Sequence, residues 1–106
     1  MPHVSDVSAD REVLDRVVDR LRSMTEARLT RPDEALPAGS VAAECHALAA
    51  WAAVSSGTPD PVPRLHPLAS GDQLAVVGRE FLARAAEGEV PVEEWRERLH
   101  KLRSRL

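Results

Sequence analysis

Cys45 and His46 are neighbours in the chain, and a thiol beside an imidazole is the raw material of nucleophilic catalysis. That chemistry needs the base to face the thiol. Consecutive residues of a helix point about 100° apart, so the pair reads as a buried free cysteine, packed as a small apolar side chain, next to an unrelated histidine. The histidines His3, His46, His66 and His100 show no ligand pair at a spacing that suits zinc. Glu97 and His100 form one Glu-x-x-His step. Carboxylate-bridged metal bundles use two such steps and two further glutamates on facing helices, and this chain has no second copy. Glu93, Glu97 and His100 also fall opposite the apolar stripe of their own segment, which makes them a solvated face. The chain holds neither a glycine-rich phosphate loop nor a Gly-x-Ser-x-Gly elbow. The expectation is therefore no catalytic residue, no metal and no cofactor.

The cations Arg96, Arg98, Lys101, Arg103 and Arg105 raise the question of nucleic acid. On a helical wheel Arg96 and Arg103 flank one side of the Trp95–Leu99–Leu102 stripe, while Arg98, Lys101 and Arg105 flank the other, so they form no single groove-facing patch. Residues 71–106 carry 7 basic and 7 acidic side chains, and the whole chain has 14 Lys+Arg against 17 Asp+Glu, a net charge of -3. Proteins whose main contact is the phosphate backbone concentrate positive charge. A DNA-binding helical regulator is accordingly a second alternative only.

The elements that must position these residues are helical. Val13, Leu14, Val17, Val18, Leu21 and Met24 recur at three- and four-residue spacings and predict a first helix over 8–29, capped by Ser8. Pro32 and Pro37 break it, with a single turn expected from Thr30 and Asp33. Ser40 is a good cap for a second helix, over 41–55, in which Glu44 and His46 are the polar side chains. A helix apolar nearly all round is buried on most sides. Its large residues lie on one half, and Ala42, Ala43, Ala49, Ala50 and Ala53 lie mostly on the other. Residues 58–68 contain Pro59, Pro61, Pro63 and Pro67. Such a segment is extended and stiff, reaching over about 30 Å at ~3.1 Å per residue. It is read as a strap that crosses the bundle, pinned by Leu65 and Leu68, and that lets the helices on either side of it run parallel.

Ser70 and Gln73 suggest a capping box for a third helix over 70–88, with the stripe Leu74, Val77, Gly78, Phe81, Leu82 and Ala85. A fourth helix follows from Pro91 to the end of the chain. The short break at 87–90 predicts that the last two helices form an antiparallel hairpin with their stripes face to face.

At 106 residues, with 43% hydrophobic and 29% charged side chains, the chain is expected to be one globular domain over 1–106, its first seven residues frayed. One cysteine excludes an internal disulfide. There are 13 Arg to one Lys, 16 Ala, and no Ile, Asn or Tyr, a bias that favours helices and shows no strand pattern. No stretch suits a membrane span and Met1 to Val7 carries no apolar leader, which points to a cytoplasmic chain. The expected fold is all-α, a compact bundle of four main helices, with Trp51, Phe81 and Trp95 as its large anchors.

The function expected of it is that of a non-enzymatic helical interaction or scaffold protein. It would act by self-association, as a dimer, or on a protein partner. The expected contact surfaces are the alanine face of the second helix (Ala42, Ala49, Ala50, Ala53) and the stripe of the fourth (Trp95, Leu99, Leu102). The first alternative is a small-ligand-binding or enzymatic bundle, which would show an enclosed pocket on which His46 and Glu44 converge.

Overall fold

The apolar periodicity is realised as helix. The computed structural model describes residues 6–106, and among them it holds α1 (Ser8–Arg22), α2 (Glu26–Thr30), α3 (Val41–Ser55), α4 (Ser70–Ala86) and α5 (Glu93–Arg103), with no strand. The protein is all-α, a compact bundle of four longer helices and one short one. His3 and the start of the expected frayed tail lie outside the described residues. Val7 is not frayed: it is buried and stands at the N-cap of α1, where Asp6, not Ser8, supplies the side-chain acceptor, taking the Ser8 N–H at 2.9 Å.

The first helix is shorter than its pattern. The Ser23 hydroxyl donates to the Arg20 carbonyl at 2.7 Å, and Thr25 turns extended to accept the Arg28 N–H and start α2. Hydroxyl side chains offer the backbone such local alternatives to a continuing helix. Leu21 and Leu29 stay buried on either side of the break and Met24 within it, so the kink keeps the apolar stripe in the core. The turn expected from Thr30 does not form as helix: Asp33 instead accepts the Ala35 N–H and organises a loop that closes with Asp33 N–H on the Gly39 carbonyl.

Ser40 caps α3 through the Ala43 N–H, and Gly57, at φ 81, ends it. Only glycine takes that left-handed conformation at no steric cost. The Ser70–Gln73 capping box is absent. Ser70 is already the first residue of α4, because a 3-10 turn at Pro67–Ala69 precedes it, and Gln73 reaches elsewhere.

Side-chain pairs set the helix directions. Arg22 meets Asp72 and Arg79 meets Asp15, so α1 and α4 run opposed. Ala42 and His46 sit beside Ser70 and Gln73, and Trp51 packs on Phe81 at 5.4 Å, so α3 and α4 run in the same sense. The proline strap is therefore a true crossover. Asp10 meets Arg96 and Arg20 meets Leu106, so α5 runs with α1 and against α4. The expected antiparallel sense of the last two helices is correct, but their packing is not a face-to-face hairpin. Helix α5 lies mainly on α3 and α1. It touches α4 through Trp95, which stacks on Phe81 at 5.4 Å and 25°.

One contiguous core results, with Leu14, Leu74, Phe81, Leu82, Trp95 and Leu102 fully buried. Trp51 is only half-buried, its face covered by the Arg98 guanidinium at 4.8 Å. No described helix is long and apolar enough to cross a membrane.

Candidate functional site

The surfaces expected to be free are largely spent inside the chain. Ala49, Ala53, Trp95, Leu99 and Leu102 are all buried by the rest of the same molecule, and Ala42 and Ala50 are half-buried. The reason is the crossover: α3 and α4 lie side by side in their most extensive contact, and the small residues of α3 allow that approach. Leu99 and Leu102 are likewise consumed as α5 settles on α1 and α3.

The chemistry-bearing residues are equally committed. Cys45 is buried, and burial, with the Glu44 charge next to it, pushes its thiol up to about 12. It is inert near neutral pH. The Glu44 carboxylate accepts the Ala38 N–H at 2.9 Å, whereas His46 Nε2 donates to the Val62 carbonyl at 3.1 Å. The two side chains serve different segments and do not converge on a pocket. No group of three or more metal-binding side chains occurs among the described residues.

The apolar surface left over lies along the strap. Gly57 turns the chain out of α3, and the Thr58 N–H returns to the Ala53 carbonyl. From there the strap is held by side chains of the helices below it. His46 on α3 takes the Val62 carbonyl, and Gln73 Nε2 on α4 donates to the Pro63 carbonyl at 2.7 Å. At its far end His66 Nδ1 accepts the Leu68 N–H, and His66 Nε2 approaches Glu26 at 3.4 Å. Leu65 and Leu68 do not pin the strap as expected. They are 48% and 55% exposed, and hydrogen bonds to its carbonyls hold it instead.

Between strap and α4 runs an open groove of about 450 Å³, walled by Pro61, Val62, Pro63 and Leu65 on one side and Val76 and Val77 on the other. Val76 is 68% exposed. A scattered exposed valine needs no explanation, but here it stands with other apolar residues along one groove. The groove's polar groups stand at its rim: Asp60, Gln73, Thr58, and Asp72, which Arg22 neutralises at 2.8 Å. Its walls are otherwise apolar. Sequence reasoning missed it. The available signal was Val76, an apolar residue off the stripe of α4, opposite a proline segment.

In comparisons with known proteins, no family model, no curated protein and no solved structure matches this chain.

Proposed function

We propose that this chain is a non-enzymatic helical interaction protein that self-associates through the strap–α4 groove. The observation that carries the reading is the groove itself, a lining of proline, valine and leucine held open by a stiff segment. Rigidity matters because a preformed surface loses little conformational entropy on binding. The charges support a second copy as occupant. Asp60 and Arg64 lie four residues apart on the strap, and neither has an ion-pair partner among the described residues. A two-fold apposition of straps sets the Asp60 end of one copy toward the Arg64 end of the other, as a self-complementary patch requires. The prolines at 59, 61 and 63 remove the N–H donors from one edge of the strap, which disfavours strand pairing and leaves side-chain packing as the mode of contact.

A specific dimer buries about 1,200 Å² or more in total, so the contact extends past the groove to the exposed Val54 and Leu68 that bracket the strap. Sedimentation at micromolar concentrations tests this. The expected mass is twice 11.6 kDa. Val76→Asp should return the monomer with unchanged helicity. Asp60→Arg should weaken the dimer, and the exchange Asp60→Arg with Arg64→Asp should restore it. A monomer at every concentration overturns self-association and leaves a different protein partner as the occupant to seek.

A further inference from the structure

We infer that the seam between α1 and α5 is a binding site for a small multivalent oxyanion of the phosphate class. Arg16 and Arg20, one turn apart on α1, and Arg103 on α5 line a single open cleft of about 240 Å³, with Val17 and Leu106 completing its walls. This cluster is invisible on either helix alone, because α1 supplies two of its cations and α5 the third.

The fold disposes of most other arginines. Arg22, Arg79, Arg84, Arg96, Arg98 and Arg105 each meet a carboxylate. Arg16, Arg20 and Arg103 pair with no acidic side chain among the described residues. Glu12 and Asp19 stand one turn to either side of Arg16 and do not close on it. The polar contact that the cleft's cations do make is weak, from Arg20 Nη2 to the main-chain oxygen of Leu106 at 3.4 Å. Among the described residues no acidic side chain lines the cleft.

Guanidinium groups are planar forks that bind phosphate oxygens in pairs. Three of them around one concavity focus positive potential there. The cleft lies below the range of about 300–1,000 Å³ typical of drug-sized ligand pockets, which suits inorganic phosphate, pyrophosphate or the phosphoryl end of an ester. The positive run is also short. Next along the seam Arg96 is neutralised by Asp10 through two hydrogen bonds of 2.8 and 2.9 Å, which shortens the track a nucleic-acid backbone could follow in that direction.

Calorimetric titration of the whole chain with inorganic phosphate and with pyrophosphate tests the site, against sodium chloride at matched ionic strength. Binding should be saturable and stronger for pyrophosphate. Arg16→Gln and Arg103→Gln should each weaken it at least about tenfold, whereas Arg28→Gln and Arg31→Gln, on uncommitted arginines elsewhere, should leave it unchanged. All of these side chains are exposed, so the variants should keep the parent's circular dichroism. Heat equal to that of chloride, or equal losses at Arg28 and Arg31, overturns the proposal. So does tighter binding of a DNA duplex than of pyrophosphate.

Discussion

At Gly78 the space for one atom shapes the core. A Cβ there would lie 2.8 Å from Trp95 Cη2 and 2.9 Å from Leu14 Cδ2. Both neighbours are fully buried and cannot retreat into solvent. Overpacking of this kind costs about 1–3 kcal/mol, against about 1 kcal/mol regained from alanine's helix propensity. Gly78→Ala should therefore destabilise the protein by about 1 kcal/mol, read from the urea midpoint at unchanged slope. Cys45 offers a chemical test. Its raised thiol should be inert to a disulfide reagent in the folded protein at neutral pH and should react fully in denaturant. Asp33 offers one in pH. The Arg105 guanidinium, with hydrogen bonds of 2.8 and 3.2 Å, and the Ala35 N–H hold its carboxyl below the ordinary 3.8. In that acid range the unfolded chain binds more protons than the folded one, so the stability Asp33 contributes is complete above 3.8 and is lost as pH falls through the lowered value. The melting-temperature gap between the parent and Asp33→Asn should be full at neutral pH and close in acid.

At the level of elements, the helices that end on strong local signals are the ones legible beforehand. Ser40 and Gly57 bound α3, and both act through their own backbone geometry. The break after α1 turns on Ser23 and Thr25, whose hydroxyls are compatible with a helix but here bond to the backbone. Thr25→Ala should remove the α2 cap at a cost of about 1 kcal/mol, with faster amide exchange confined to Glu26–Thr30. The strap shows the converse. Its extension follows from its prolines, but its attachment does not, since His46 and Gln73 are distant in sequence from the carbonyls they hold. His46→Ala and Gln73→Ala should each cost about 0.5–1.5 kcal/mol.

For the whole molecule, the crossover is a length constraint. Helix α3 has 15 residues and is about 22 Å long, and the strap must return along it before α4 can start in the same sense. Residues 56–66 reach about 34 Å at ~3.1 Å each, which leaves slack. Removing 59–62 leaves seven residues and about 22 Å, with nothing to spare for leaving one helix and entering the next. That deletion should abolish cooperative melting. Doubling the segment with Gly and Ser should cost only about 0.6 kcal/mol in closure entropy, plus whatever the lost strap contacts contribute.

Helix content, the extended strap and the bounds of α3 were determined by the sequence alone, because periodicity, capping and proline stiffness act within a few residues; α3 is less buried than its composition implies, with six of its 15 residues in the core. The tertiary structure alone decided which faces remain free. Ala49, Ala53 and Leu99 look like contact surface in one dimension and are interior in three, since burial depends on which helix arrives from elsewhere in the chain. The strap–α4 groove and the Arg16–Arg20–Arg103 cleft are likewise products of packing. Each is shared between segments whose separation in sequence is bridged only when the hydrophobic core brings their helices side by side.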